Sequence, residues 1–368
     1  MINSIYLVSF LSPSGPINQA LNLLAGFDKR EVNAIIVTLF SEKKESWIDR
    51  FKDAGIEVIQ LKSTSFAIIS ARRELIKIIK ERKIAIVHAS GVRAVIIASL
   101  LPDNVKTVIT ARSHMADLEE MRSPFVNKIM QFVFKTALKR ITRLTSCSKS
   151  LASDLYLECG LNFKPIPNGV DTDKFFMINH KGKQILKSKL EIPFNKIIFI
   201  SCAVLCPRKN MSLIINSFNY LKRNDYILLI VGEGEEKDKL QELAKNNPNI
   251  IFTGKRNNVQ EYYQVSDIFI SSSLAEGLPN SVLEAMACGL PCILSKIGSH
   301  EEILDYANDA GMLLSLDKKL WTEEIEKAFT WDLEKRSQIA RNLIDNHLSK
   351  QIMAKEYTNL YLSIFSAL

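Results

Sequence analysis

Two glutamates, Glu276 and Glu284, stand at the start of a predicted short helix and could bind a ligand rich in hydroxyl groups. The helix lies between Pro279 and Gly289, and Gly289 suits the position of a C-terminal cap. The unpaired amides at a helix N-terminus suit a diphosphate, and Gly277 lets the backbone approach a ligand. A carboxylate accepts hydrogen bonds from neighbouring hydroxyls, so Glu276 could bind a sugar and Glu284 a ribose.

Both glutamates also have purely structural interpretations. Ser281 and Glu284 form an S-x-x-E capping box, in which Glu284 would only cap its own helix. Glu276 could be a solvated loop charge. The argument for function therefore depends on the pair in its context.

The segment from Glu276 to Pro291, E-G-L-P-N-S-V-L-E-A-M-A-C-G-L-P, resembles family 4 of the glycosyltransferases, which carry a Glu-x7-Glu motif. The stretches 298–303 (GSHEEI) and 167–171 (PNGVD) resemble the same family, so the similarity runs over most of the chain. This resemblance implies the GT-B fold, with two Rossmann-like doubly wound α/β domains facing a central cleft. It also implies retaining transfer of a sugar from a nucleoside-diphosphate-sugar to a glycan.

By the same resemblance, Lys209 matches the lysine that holds the donor diphosphate in the family. The arginine that usually accompanies it is replaced here by Val204, and Arg208 is the candidate substitute. Cations are needed there because a leaving nucleoside diphosphate gains negative charge in the transition state. A plain solvated loop is the alternative for Arg208 and Lys209.

The resemblance extends the donor site to two further loops. Gly254 and Lys255 would flank the nucleobase through their backbone, and Gly15 would face the diphosphate and the acceptor. A routine strand-to-helix turn explains Gly15 equally well. The expected donor-binding residues are Arg208, Gly277, Leu278, Pro279, Asn280, Glu284, Gly254, Lys255 and Gly15.

Two residues compete for the position of a histidine that contacts the reacting sugar in the family. Alignment after the predicted strand at 108–111 puts Arg112 there, and His114 follows two residues later. Together with Glu276 and Lys209, these are the expected catalytic residues. Retaining transfer in this fold is usually described as same-face attack assisted by the donor phosphate, so no enzymic base is strictly required.

Short apolar runs alternate with helical patterns in both halves of the chain, which predicts two α/β domains with parallel sheets. We place an acceptor-binding domain at 1–168 and a nucleotide-sugar-binding domain at 169–349. A C-terminal helix at about 350–368 is expected to pack back on the first domain. Ligands of such sheets bind at the carboxyl ends of the strands, here in the cleft between the domains.

Positive charge is concentrated in the first half. Residues 1–168 carry 24 basic and 15 acidic side chains, a net charge of +9, whereas residues 169–368 carry 24 and 25, a net charge of −1. A predicted basic amphipathic helix at 127–143, with Phe132 and Phe134, suits an anionic membrane surface. A surface helix with its apolar face in the core is the alternative.

We therefore expect peripheral membrane contact and a lipid-linked glycan acceptor, in the synthesis of a cell-surface polysaccharide such as lipopolysaccharide, O-antigen or capsule. A nucleic-acid-binding protein is the alternative class for the basic half. The sequence lacks an aromatic-rich sheet or recognition-helix pattern, so no nucleic-acid partner is expected. A nucleotide-sugar-binding relative without turnover and a sugar-nucleotide epimerase remain alternatives within the fold.

Several features argue against other classes. No charge-free run of about 20 apolar residues and no signal peptide is present, so a cytoplasmic protein is expected. The C-x3-C pairs that begin at Cys202 and Cys288 have no histidine at the spacing of a zinc site. We therefore interpret these cysteines as small apolar side chains. The D-x-D at Asp171 sits at the domain join, so we expect neither a metal nor another cofactor. Gly232-x-Gly234 lacks the third glycine of a dinucleotide site.

Overall fold

The computed structural model describes residues 1–42, 44–61, 68–114 and 124–366, with only the backbone for 124–129. The chain divides into two compact units. Unit 1 contains Met1–Gly169 and Lys350–Leu368, and unit 2 contains Val170–Ser349. Each unit has its own parallel sheet and its own buried core, so the predicted doubly wound α/β class is confirmed.

Unit 1 is built on a seven-stranded parallel sheet. Its strands are β1 (Ile2–Val8), β2 (Val32–Thr38), β3 (Val58–Gln60), β4 (Ile86–Ala89), β5 (Lys106–Ala111), β6 (Arg143–Ser146) and β7 (Lys164–Pro165). Its first helices are α1 (Gly15–Gly26), α2 (Ile48–Asp53), α3 (Ile68–Glu81), α4 (Val92–Ala98), α5 (Pro124–Leu138) and α6 (Lys149–Cys159). The strand order is β3-β2-β1-β4-β5-β6-β7, so the order reverses between β1 and β4. Such a switch point leaves a crevice at the carboxyl ends of the two strands.

Unit 2 repeats this plan with six parallel strands. They are β8 (Ile197–Cys202), β9 (Tyr226–Val231), β10 (Ile250–Gly254), β11 (Ile268–Ser271), β12 (Cys292–Ser295) and β13 (Gly311–Leu314). The helices are α7 (His180–Lys189), α8 (Met211–Asn219), α9 (Lys237–Ala244), α10 (Val259–Val265), α11 (Asn280–Ala287), α12 (Gly298–Leu304), α13 (Lys318–Ala328) and α14 (Leu333–Leu343). The strand order is β10-β9-β8-β11-β12-β13, so the switch point lies between β8 and β11.

The last helix, α15 (Lys350–Phe365), belongs to unit 1 and packs against α1 and β1. Its buried Tyr361 hydroxyl lies 2.7 Å from His88 Nδ1 on β4, and its Tyr357 hydroxyl lies 2.6 Å from Thr110 Oγ1 on β5. His88 Nε2 lies 2.7 Å from the same Thr110 oxygen. Burial lowers the pKa of His88, so this polar network is neutral and internally hydrogen-bonded.

The basic helix predicted for 127–143 is shorter in the structure. The described helix α5 ends at Leu138, and Ile141 N donates to Leu138 O in the turn that follows. Arg143 opens β6 and pairs with Val108 of β5. The chain must leave the helix to form this pairing, so Lys139 and Arg140 lie in a turn and Arg143 in the sheet.

Candidate functional site

Three predicted side chains meet in unit 2, where the loops after β8 and β11 approach each other. Lys209 Nζ donates to Glu276 Oε1, and Arg208 Nη1 donates to Glu276 Oε2 at 3.2 Å and to Ala275 O at 2.7 Å. The side chains of Glu276 and Lys209 are 9% and 15% exposed, whereas that of Arg208 is 47% exposed. We call Glu276, Lys209 and Arg208 the charged clamp.

Hydrogen bonds to the main chain fix the two loops of the charged clamp. Ser272 Oγ donates to Asn210 O at 2.8 Å, and Leu274 N donates to Arg208 O at 2.8 Å. Asn210 has a left-handed φ of +47°, which turns the chain from Lys209 into α8. The clamp is thus positioned by the backbone at the switch point between β8 and β11.

Two opposing effects set the charge of Glu276. Burial raises the pKa of this carboxyl and is the largest single influence. Lys209, Arg208 and a hydrogen bond from Ser273 together outweigh burial, so the pKa lies below its ordinary value of 4.5. Glu276 is therefore ionised at neutral pH and can only accept hydrogen bonds.

The helix after Glu276 begins without a side-chain cap. Pro279 occupies the N-cap position of α11, and Asn280 is the first helical residue. The capping box of Ser281 with Glu284 is therefore a wrong interpretation, because Ser281 already lies inside the helix. Leu278 and Pro279 are buried and Gly277 is partly buried, so they shape the approach to the helix N-terminus.

Glu284 lies one turn into α11 in a weakly polar environment. Its Oε2 accepts a hydrogen bond of 3.4 Å from the Tyr263 hydroxyl. Burial raises the pKa of Glu284 to about 7, although the charge of Lys174 and the bond from Tyr263 act in the opposite direction. At neutral pH this carboxyl is therefore about half protonated, unlike Glu276.

The loops expected to flank a nucleobase adjoin the β8 loop. Gly232 packs so closely on Ala203 O that a side chain there would overlap it, and Gly232 N donates to Gly254 O at 3.0 Å. Gly254 has a left-handed φ of +73°, and the neighbouring Lys255 is exposed. Val204, which stands where an arginine was expected, is 63% exposed.

Sequence reasoning assigned no role to His300, which follows β12 in the GSHEEI stretch. This side chain is fully buried, and its Nδ1 lies 2.8 Å from Ser295 O. Burial lowers the pKa of His300 to about 4, against weaker opposing effects from Ser295 and the charge of Glu276. A neutral imidazole therefore lies within electrostatic range of the clamp, and its buried Nε2 has no hydrogen-bond partner.

In unit 1 the two candidates that follow β5 have different hydrogen-bond partners. Arg112 Nη1 donates to Asn168 Oδ1, and its Nε and Nη2 are buried without hydrogen bonds. His114 has different partners, with Nδ1 3.2 Å from Glu158 and Nε2 3.8 Å from Asp154 on α6. Arg112 thus contacts the segment at the end of unit 1, whereas His114 is oriented by two carboxylates.

A cavity of about 300 Å³ opens at the carboxyl ends of β1, β4 and β5. Arg112 and His114 both line it, as do Ser14 and Pro16 on either side of Gly15, the first residue of α1. We call this space the unit 1 cavity. It lies at the β1–β4 switch point, the place in unit 1 that matches the charged clamp in unit 2.

In the described parts of the chain, no group of three or more His, Cys, Asp or Glu side chains could hold a metal ion. The D-x-D stretch forms a turn, in which Asp173 N donates to Asp171 Oδ1 at 3.1 Å. Cys288 and Cys292 are buried free thiols. Among the described helices, none combines the length and apolar character needed to cross a bilayer.

The chain matches two family models that together span most of its length. Residues 182–345 match the glycosyl transferases group 1, and residues 13–174 match Glycosyltransferase Family 4. Over 262 residues the chain is 30% identical to the UDP-Gal:alpha-D-GlcNAc-diphosphoundecaprenol alpha-1,3-galactosyltransferase of Escherichia coli. That match covers 66% of this chain and 65% of the relative, so it spans just under two thirds of the relative's length.

Other similarities extend over nearly the whole chain. The O-antigen biosynthesis glycosyltransferase WclY of Escherichia coli is 24% identical over 371 residues, which is 98% of each chain. A glycosyltransferase structure from Rickettsia africae ESF-5 superposes with a TM-score of 0.82 at 19% identity, covering 99% of each chain. The structure of Anabaena Alr3699/HepE in complex with UDP gives a TM-score of 0.80 at 16% identity, covering 98% of this chain and all of that one.

Proposed function

This chain belongs to family 4 of the group 1 glycosyltransferases and has their GT-B fold, and on that premise we propose that it transfers a sugar from a nucleoside-diphosphate-sugar to a glycan acceptor with retention of the anomeric configuration. The acceptor is a lipid-linked glycan, and the product enters a cell-surface polysaccharide. The names of two relatives support this choice. One acts on a diphosphoundecaprenol-linked sugar, and the other takes part in O-antigen biosynthesis.

The observation that carries the proposal is the charged clamp. Lys209 and Arg208 are held by a nearly buried, ionised carboxylate in the loop that leads to the uncapped N-terminus of α11. This arrangement keeps both cations in place before a ligand binds, with Lys209 largely removed from solvent. When the donor binds, the diphosphate oxygens take hydrogen bonds from Lys209 and Arg208 and neutralise them in turn. The same cations stabilise the charge that develops as the nucleoside diphosphate leaves.

The two glutamates take different roles in this proposal. Glu276, ionised at neutral pH, accepts hydrogen bonds from hydroxyls of the donor sugar and orients it toward the acceptor. Glu284, deeper in α11, accepts hydrogen bonds from the ribose hydroxyls. Its capacity to accept hydrogen bonds is complete only when its carboxyl is ionised. The charge compensation comes from side chains and helix amides, so we propose that no divalent metal takes part.

We also propose that unit 1 contacts an anionic membrane surface. Residues 1–168 have a net charge of +9, and Phe132 of α5 and Leu157 of α6 are 72% and 82% exposed. Basic side chains beside exposed apolar ones are typical of peripheral binding. We expect sedimentation with phosphatidylglycerol vesicles but not with phosphatidylcholine vesicles, and weaker sedimentation for Leu157→Asp. Equal sedimentation with both vesicle types would contradict the proposal.

The test of sugar transfer is a donor panel. UDP-, GDP- and ADP-sugars are offered to wild type and to Glu276→Ala, and the release of nucleoside diphosphate is measured. We expect one donor to be turned over by wild type and a loss of about 100-fold or more in kcat for the variant. The same panel identifies the donor.

A matched variant separates catalysis from folding. Glu261 pairs with Lys189 at 2.7 Å on the surface of unit 2, and Glu261→Ala removes an ion pair away from the clamp. We expect this variant to keep wild-type turnover. Equal activity of Glu276→Ala and wild type, or no turnover of any donor by wild type, would overturn the proposed function.

A further inference from the structure

The unit 1 cavity has a gradient of polarity from its mouth to its interior. Exposed Ser14, Gly91 and Ser113 lie at the strand and helix ends that form its rim. Fully buried Val95 and Leu155 line its interior. A ligand that fits this gradient has a polar end at the rim and an apolar end inside.

The interior is more apolar than a sugar requires. Helices and loops around it supply aliphatic and aromatic side chains, including Val92 and Val95 of α4, Phe134 and Leu138 of α5, Leu155 of α6 and Phe163. Sugar hydroxyls need hydrogen-bond partners at nearly every position, which these side chains do not supply. The polar lining lies near the strand ends and consists of hydroxyl groups, such as those of Ser9 and Ser90, together with the side chains of Arg112 and His114.

The cavity is also too large to be a packing defect. Protein interiors are close-packed, and voids larger than a water molecule are few. A space of about 300 Å³ has room for roughly ten groups of the size of a water molecule or a methylene. It lies where open α/β sheets bind ligands, at the carboxyl ends of β1 and β4.

We propose that the unit 1 cavity binds the hydrocarbon chain attached to the acceptor, so that the enzyme recognises the lipid as well as the sugar of its substrate. This inference rests on the proposed function, because it assigns a place to the apolar part of the acceptor. The cavity accommodates a chain of roughly ten carbons, and the remainder of a longer lipid stays outside. The rim then holds the polar group that joins the chain to the glycan.

The test measures how binding depends on chain length, without turnover. Methyl, hexyl and octyl β-D-glucoside are titrated calorimetrically below the concentration at which they form micelles. Each buried methylene is expected to strengthen binding about fourfold, so octyl glucoside should bind about tenfold or more tightly than hexyl glucoside. Methyl glucoside, which lacks a chain, should show no measurable binding.

Two variants remove the cavity in different ways, and a third variant serves as their control. Val92→Trp fills the cavity, and Phe134→Asp places a charge in its wall. Both should lose the dependence on chain length. Thr136→Asp introduces the same charge as Phe134→Asp at an exposed position of α5. This variant should keep the dependence on chain length. Circular dichroism melts show that each variant is folded.

The outcomes separate this inference from the proposed function. Chain-length dependence that persists in both Val92→Trp and Phe134→Asp, or that Thr136→Asp also loses, overturns the cavity assignment. Phenyl glucoside binding as tightly as octyl glucoside overturns the choice of a hydrocarbon chain. Donor turnover with no chain-length dependence in wild type leaves sugar transfer standing and removes the lipid site. Chain-length dependence without turnover of any donor supports the lipid site and overturns sugar transfer.

Discussion

The charged clamp of unit 2 and the unit 1 cavity occupy matching places in two sheets of the same kind, yet their chemistry is opposite. Each lies at the switch point of its sheet, between β8 and β11 in one unit and between β1 and β4 in the other. The clamp is filled by its own charges, whereas the cavity is open and its interior is mostly apolar. The topology fixes where a ligand can bind, and the loop side chains decide which ligand.

The charged clamp and the unit 1 cavity are also prepared for their ligands in different ways. In the clamp, the carboxylate of Glu276 substitutes for the ligand by holding Lys209 and Arg208 in place. In the cavity, nothing in the described residues plays this part, and the walls are kept apart by the packing of α1, α4, α5 and α6 around it. Binding at the clamp exchanges ion pairs, whereas binding in the cavity fills space.

Lys209→Ala should have the largest effect, because it removes the cation that pairs with a nearly buried carboxylate. We expect kcat to fall by about 100- to 1000-fold, as when a preorganised group for developing charge is lost. The free energy of unfolding should fall by about 3 kcal/mol, since Glu276 keeps only the half-exposed Arg208 as a charged partner. Steady-state kinetics and urea unfolding measure the two effects.

Lys209→Arg is the control for this prediction, because it keeps the positive charge beside Glu276. It should recover most of the stability and only part of the activity. A Lys209→Ala enzyme that is as active as wild type would contradict the contrast between the two sites, because activity would then not depend on the charge at the clamp.

Glu284→Gln should alter the pH dependence of stability. Between pH 4.5 and about 7, an unfolded Glu284 ionises while the folded one stays largely protonated, so the wild type loses stability as pH rises through this range. Glutamine stays neutral in both states. The Tm of the variant should therefore exceed that of the wild type at pH 8, and the gap should close toward pH 4.

Glu276→Gln is expected to behave in the opposite way, which tests whether the two carboxyls really differ. The pKa of Glu276 is lowered in the folded protein, so its contribution to stability is present above pH 4.5 and is lost as pH falls. This variant should have a lower Tm than the wild type at pH 8. Calorimetric scans of both variants over this pH range measure the two gaps, and gaps of the same sign would contradict the assignment.

Arg208→Ala should have a smaller effect than Lys209→Ala. Its side chain is 47% exposed and lies 3.2 Å from Glu276, so solvent screens the pair. We expect a loss of about tenfold or less, mainly in KM for the donor. A loss as large as that of Lys209→Ala would mean that Arg208 fully takes the role of the arginine missing at Val204.

Removal of divalent metal should have the smallest effect. The described residues hold no cluster of metal-binding side chains, and the clamp supplies cations of its own. We expect turnover of the donor to be unchanged by EDTA. Activity that disappears with EDTA and returns with Mg²⁺ would show that charge compensation in unit 2 is incomplete without an ion.

The sequence was sufficient for most of the strands and for the residues that follow them, but not for the edge strands β7 and β13. Apolar runs such as 226–231 and 268–271 predict β9 and β11 with their observed bounds, because fully buried strands leave a continuous signal. The resemblance to family 4 also selected Glu276 and Lys209, which the structure brings together across two loops.

Other features could not be predicted because they depend on contacts between distant residues. The capping box at Ser281 fails because the loop before α11 packs Pro279 into the cap position. The environment of His300, with its low pKa, depends on burial that no local pattern shows. Arg112 and His114 are two residues apart, yet only the fold shows that one contacts Asn168 and the other Glu158.

The return of α15 to unit 1 has a consequence for synthesis on the ribosome. Unit 2 is one uninterrupted stretch, Val170–Ser349, and is complete when Ser349 has emerged. Unit 1 lacks the tyrosine partners of His88 and Thr110 until Tyr357 and Tyr361 have been added, after the whole of unit 2 has been translated. The half that is synthesised first is therefore expected to finish folding last, and the nascent unit 1 needs protection from aggregation while it waits.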